Sequence, residues 1–380
     1  MISRQAVRRG CSQARDAATA AQELHDAINQ PGIGLAVFFC SPCYDLDALG
    51  AAIYRRFGDA NIIGCTTAGE IGPAGYLEGA ITGFSIAAES CQAVTELIPD
   101  ISAFQVSRGR ATAEALTEKL AGHGQPLDPK THFAMLLVDG LSTNQEAILS
   151  SINRSLDPIP LFGGSAGDDM RLQQAHVYHG GRFWPDSALL TLVRTCHAFK
   201  AFRCQHYEGS DTKMVVTEAD PARQVVTEIN AEPAAPEYAR IIGVDLRDLT
   251  PLVFAENPLM VRVGGDYYVR SIQKADADGS LTFFCAIDVG VVLTLARRRD
   301  IVDELRGLFR GLRQEIGPPQ LVIGFDCVLR GLELGERQLK RVVSSILADN
   351  NVIGFGTYGE QFAGMHFNQT FTGVAIGAGP

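Results

Sequence analysis

Short, continuous apolar runs punctuate the chain, and stretches with helical spacing lie between them. Gly34–Cys40 (G-L-A-V-F-F-C) is one such run, His132–Val138 (H-F-A-M-L-L-V) a second and Gln320–Phe325 a third. A strand covered on both faces shows no polar alternation, so each run reads as a buried strand. Each is followed by apolar residues at helical spacing, over Leu46–Phe57, Asn144–Leu156 and Glu336–Leu347. A second short run follows, at Asn61–Cys65, Ile159–Phe162 and Asn351–Phe355. Strand, helix and strand in that order predict a β-α-β unit, and the chain carries three.

Around these units the pattern predicts a helix over Ser12–Ile28, ended by Pro31-Gly32, and strands over Glu78–Ala88 and Cys91–Pro99. Arg110–Leu120 reads as a helix, Pro126 and Pro129 as a linker, and Ala175–His179 and Ala188–Thr195 as strands. Residues 199–317 differ in pattern. Met214–Glu218 and Gln224–Asn230 alternate like paired strands, and Pro233–Ile242 is helical. Tyr267–Gln273 and Leu281–Ala286 flank the turn A-D-A-D-G and predict a hairpin, and Asp300–Gln314 is an amphipathic helix. The expected fold is α/β, with duplicated β-α-β units, mixed sheets and an inserted α+β region.

The second strand of each unit runs into a glycine-rich loop. Ile62–Ala87 and Val352–Gly377 align without a gap and are identical at eight positions, among them Gly64/Gly354, Thr67/Thr357, Gly69/Gly359, Glu70/Glu360 and Gly83/Gly373. This is an internal repeat. The middle unit echoes it, with Ser165-Ala166-Gly167-Asp168 against Thr67-Ala68-Gly69-Glu70. Glycines allow positive φ and close backbone approach, so peptide N–H groups of the three loops are expected to face a shared cavity. The loop acid either caps a neighbouring segment or meets a ligand amine; the plain alternative is that the loops are only turns.

Composition narrows the function. Of 380 residues, 46% are hydrophobic and 20% charged, as in a well-packed globular chain. A net charge of −10 disfavours nucleic acid or an anionic membrane as partner. No apolar run reaches the length of a membrane span, and the N-terminus lacks the apolar stretch of a secretory signal, so a cytoplasmic protein is expected. Nine cysteines without a framework spacing suit reduced thiols.

The G-C-T-T-A-G-E-I segment, the G-G-S-A-G-D-D segment at 163–169 and the terminal Y-G-E…H-F-N-Q-T segment together resemble the FIST sensory domains, N-terminal and C-terminal. The resemblance runs from about residue 33 to the end and implies two halves, 33–197 and 198–380. It implies a bacterial small-molecule sensor acting on a histidine kinase, a diguanylate cyclase or a phosphodiesterase, with Thr67, Gly69, Glu70, Gly164, Asp168, Gly359, Glu360 and Asn368 as ligand-loop residues. F-F-C-S-P-C-Y-D-L (38–46) and H-Y-E-G-S-D-T-K-M-V-V-T-E-A-D-P-A-R (206–223) resemble the nitric-oxide-sensing, haem-binding NosP subgroup. That narrower likeness implies haem b, and a haem-free sensor of an amino acid or similar metabolite is the alternative.

A haem iron needs an axial ligand in an apolar pocket, and neutral imidazole is the usual one where a gas binds opposite. Of eight histidines, His25, His123 and His132 read as ordinary. The order for the iron ligand is His206, then His179, then His366. Cys40-Ser41-Pro42-Cys43 is a C-x-x-C between a buried strand and a helix, where the helix N-terminus lowers a thiol pKa. It reads as a redox pair or half a metal site, against buried small hydrophobes. Glu70, Asp168 and Glu360 at equivalent places form a candidate carboxylate cluster, suited to an amine ligand as well as to acid–base chemistry. With no G-x-S-x-G, Walker loop or H-E-x-x-H, and no nucleophile beside a base, the chain is not expected to be an enzyme.

Overall fold

The structure is a computed structural model that describes residues 6–121 and 126–378. His123 and the first five residues lie outside the described range, so the readings that fall on them have no structural counterpart here. The three units are present, and each is a six-stranded mixed sheet. The first runs Val7–Ser12, Ile81–Ala87, Ile33–Cys40 and Ile62–Thr66 across the sheet. The second runs Cys91–Ile98, Ala188–Thr195, His132–Asp139 and Leu161–Ala166, and the third Phe199–Cys204, Phe371–Gly377, Pro319–Cys327 and Val352–Thr357. In every unit the two central strands are parallel and the rest antiparallel.

The continuous apolar runs have two burial partners. Leu35, Val37 and Phe39 join Phe133, Met135 and Leu137 and Leu321, Ile323 and Phe325 in one core shared by all three sheets. The alternate residues Ala36, Phe38 and Cys40 face the helices Ala17–Ile28 and Leu46–Phe57, as Ala134, Leu136 and Val138 face the helices of the second unit. Phe39, Phe355, Phe325, Phe162 and Phe133 form a chain of ring contacts through the shared core.

The units exchange edges in a closed cycle. After its second parallel strand each unit extends a short hairpin, and that hairpin completes the sheet of another unit. Glu70–Gly72 with Gly75–Leu77, from the first unit, pairs with Val352–Thr357 of the third. Val177–His179 with Arg182–Trp184, from the second, pairs with Ile62–Thr66 of the first. Glu360–Phe362 with Met365–Phe367, from the third, pairs with Leu161–Ala166 of the second. Three of the repeated glycines permit close strand approach. A Cβ on Gly64, Gly163 or Gly354 would collide with the carbonyl of Phe38, Leu136 or Gly324, the residue facing it on the parallel neighbour.

Between the first two strands of the third unit lies the insertion. An eight-stranded sheet holds Tyr207–Asp220, Val225–Ile229, Leu259–Val263, Asp266–Arg270, Ile272–Ala275, Leu281–Phe283 and Val292–Arg298 together with Glu232–Pro233. The A-D-A-D-G turn joins Ile272–Ala275 to Leu281–Phe283, while the Tyr267 strand turns away and pairs with Leu259–Val263. The helix expected over 336–347 is Lys340–Asp349, and a separate helix, Val328–Glu336, precedes it across a turn where Gln338 takes a positive φ. Val7–Ser12, for which the pattern predicts no element before Ser12, is an edge strand paired with Ile81–Ala87, and the helix expected from Ser12 begins only after its Asp16 cap.

Candidate functional site

The three glycine loops meet and hydrogen-bond to one another. Ala68 N–H donates to Gly356 O at 2.8 Å and Gly356 N–H to Gly69 O at 2.7 Å. Gly167 and Asp169 N–H donate to Thr66 O and Thr67 O, both at 3.1 Å, and Ser165 N–H to Gly359 O at 2.9 Å. These peptide groups, expected to point into a cavity, satisfy each other instead.

The loop acids turn inward. Glu70 is fully buried and accepts from Thr67 Oγ1 and from Ala80 N–H at 2.9 Å, and burial pushes its carboxyl up to about 8. Glu360 accepts from Thr370 N–H at 3.0 Å and Thr370 Oγ1 at 2.9 Å, and burial raises its carboxyl well above the ordinary value. Burial would raise Asp168 as well, but the Tyr358 hydroxyl and the N–H groups of Gln174, Gln173 and Leu172 outweigh it and hold that carboxyl below its usual value. All three acids act as caps, so the expected carboxylate cluster does not form. Asn368 accepts from Ser271 N–H at 3.3 Å and reaches Tyr358 O at 3.5 Å, tying the insertion to the third loop. Gly164 sits under the Phe325 ring, and Gly359 lies against His366.

Beside the junction of the loops opens a cavity of about 330 Å³ to which all three units contribute. Ala68 and Gly69 of the first loop and Gly356 of the third line it; Gly69, with a φ of +104°, is the one residue of the expected ligand-loop set that does. Asp169 enters from the second unit, held by Ser41 Oγ at 3.2 Å, and its carboxyl is raised by burial. Asp326 enters from the third. Lys340 and Glu78 pair at 3.0 Å on the exposed rim. Leu77, Met170, Val328 and Leu332 supply apolar wall, and the Val328–Glu336 helix begins at the cavity edge. The result is a small, partly apolar cavity with three carboxylates, of which Glu78 pairs with Lys340 at the mouth and Asp326 with Arg330 behind the wall.

Behind Asp326 runs a buried polar network. Arg330 donates from Nε to Asp326 Oδ1 at 2.6 Å, and Tyr76 bonds the other carboxylate oxygen. Arg330 also donates to His206 Nδ1 at 2.9 Å, and His206 Nε2–H donates to Glu333 Oε2 at 2.7 Å. The Tyr207 hydroxyl lies 2.8 Å from the same oxygen. Burial lowers His206 to about 4, so it is neutral at pH 7, while its own hydrogen bond helps bring Glu333 down to about 2 against the effect of burial. The network was not found from the sequence. Its signal is present in F-D-C-V-L-R-G-L-E (325–333), where two acids and an arginine at helical spacing interrupt an apolar segment.

Of the three expected haem ligands, His206 has no free ring nitrogen. Both ring nitrogens of His206 are engaged and the ring is fully buried, which corrects its first ranking. His366 is buried with both nitrogens unpartnered and burial lowers it to about 3, and His179 leaves Nδ1 unpartnered on an edge hairpin. None of the three lines the cavity. The C-x-x-C is divided as well. Cys40 is fully buried and burial drives its thiol up, opposite to the expected lowering, whereas Cys43 is exposed at the cavity with Arg171 Nη2 at 3.2 Å. No group of three His, Cys, Asp or Glu suited to a metal ion exists among the described residues.

The family model of the FIST N domain matches residues 34–232, more than half of the chain, and that of the FIST C domain matches residues 234–363. The ring itself passes from second to third unit between Thr195 and Phe199, so the insertion is shared between the two matches. No curated protein matches the chain. The chain belongs to the FIST family and carries both of its domains.

Proposed function

We propose that this chain, in a family of signal-transduction sensor domains, binds a small ammonium-bearing metabolite such as an amino acid in the cavity beside the loops. The observation that carries this is the composition of the cavity wall. All three units contribute to it, so a bound ligand touches every part of the ring. Asp169, which has no ion pair among the described residues, suits an ammonium group, and the N–H groups starting the Val328–Glu336 helix suit a carboxylate. A volume of about 330 Å³ lies at the small end of ligand pockets. The output passes to a separate protein in the cytoplasm, for which a histidine kinase or a cyclic-di-GMP enzyme is the proposed class.

A ligand that binds only the folded chain raises its melting temperature, by the equivalent of about 2.7 kcal/mol at a hundredfold excess over Kd. A thermal-shift panel of amino acids and simple amines tests the reading. At least one member is expected to stabilise the wild type, and Asp169→Asn to abolish that shift while leaving the circular dichroism unchanged. A flat panel overturns it. The haem reading, with nitric oxide as the signal, is supported only by the unpartnered nitrogens of His179 and His366. Added hemin that yields no Soret band removes it.

A further inference from the structure

In the first two units the helices that flank the central strand, Ala17–Ile28 with Leu46–Phe57 and Val106–Ala121 with Gln145–Leu156, pack side by side. The equivalent pair in the third unit, Ile301–Ile316 and Lys340–Asp349, is splayed, and a cleft of about 950 Å³ lies between them. The repeat is its own control: the same architecture closes twice and opens once. Phe309, Ile346 and Val342 make the apolar part of the cleft, and Val342 is 41% exposed. Arg306, Arg310 and Arg313 recur at i, i+4 and i+7 along one side of it. Arg306 is held only loosely by Asp303 at 3.8 Å, and Arg313 donates to Asn350 Oδ1 at 2.9 Å. Arg310 has no ion-pair partner among the described residues. Asp303 and Asp349 also line the cleft, so three arginines face two carboxylates and leave one excess positive charge on a chain of net charge −10.

We propose that this cleft is the docking groove for an amphipathic helix of a partner protein, one that places apolar residues on Phe309, Val342 and Ile346 and acidic residues against Arg306 and Arg310. A splayed helix pair with an apolar floor and a charged rim is the geometry that receives a third helix. The charge of the rim selects an acidic helix over a basic one. The groove stands on its own helix geometry and rim charge and is tested without ligand, so its failure leaves the cavity reading untouched.

The probe is a fluorescein-labelled peptide of about 18 residues with a leucine stripe flanked by glutamates, compared with the same peptide carrying lysine at each glutamate. Fluorescence anisotropy is expected to show saturable binding of the acidic peptide, weakened by salt, and none of the basic one. Arg306→Glu with Arg310→Glu, and separately Val342→Asp, is expected to weaken binding about tenfold or more. These side chains are exposed, and unchanged circular dichroism verifies the fold of each variant. Absence of binding, or equal affinity in wild type and both variants, overturns the proposal. So does a dimer in sedimentation that the arginine reversal dissolves, which would make the groove a contact between two copies of this chain.

Discussion

Glu70 and Glu360 each reach a backbone N–H ten residues further along, at Ala80 and at Thr370. The carboxyl of each therefore closes its own hairpin loop. Glu70 titrates near 8 in the folded chain against an ordinary 4.5, so the folded state retains a proton that the unfolded state has released. Its contribution is fully present below 4.5 and is lost as pH rises through 8. Glu70→Gln keeps the acceptor without the charge, and calorimetry across this range is expected to show a flatter fall in melting temperature than in wild type. Parallel profiles would mean that Glu70 is ionised in the folded chain. The buried histidines act in the opposite direction. His206 and His366 sit near 4 and 3 against an ordinary 6.5, so stability present above 6.5 is lost as pH falls toward those values. His366→Asn is expected to flatten this acid limb in a urea-midpoint series. The importance of Glu70 and Glu360 was legible in the repeat, but their direction was not, because a capping acid and a ligand-binding acid have the same spacing. His206 was misread because its partners Arg330 and Glu333 lie more than 120 residues away.

Among elements, the central strands were legible because each is apolar on both faces, and the structure gives each face its own cover. Val7–Ser12 (V-R-R-G-C-S) was missed because an edge strand with two arginines carries neither period strongly. The exchange of hairpins left no trace in the pattern either: a three-residue strand such as Glu70–Gly72 does not say whose edge it will complete. Its placement has a local signature in Gly75, at a φ of +103°, where a Cβ would collide with Ser344 of the Lys340–Asp349 helix. Gly75→Ala is expected to cost about 1–3 kcal/mol, read as a lower urea midpoint with an unchanged slope. A neutral result would show that the helix moves away freely. That helix begins at Lys340 on the cavity rim, accepts Tyr76 N–H on Ser344 Oγ at 3.1 Å and borders the cleft at Val342 and Ile346. One rigid element therefore touches both proposed sites.

At the scale of the whole molecule, two sequence halves make one three-part ring. Residues 1–197 contain the first two units but lack the hairpin Glu360–Phe367 that completes the second sheet, and their own Glu70–Leu77 hairpin has no sheet to join. Expressed alone, this half is expected to unfold without a cooperative transition, and co-expression with residues 198–380 to restore one; a cooperative, soluble half would refute the dependence. The cyclic exchange also constrains how the protein is made. Gly164 waits for Glu360, 196 positions later, before its open edge is covered. A nascent chain leaving the ribosome therefore carries exposed, adhesive strand margins until Glu360 has been made. Chaperones are most needed in that interval, and a product cut short before Glu360 would keep the margin of its second sheet uncovered.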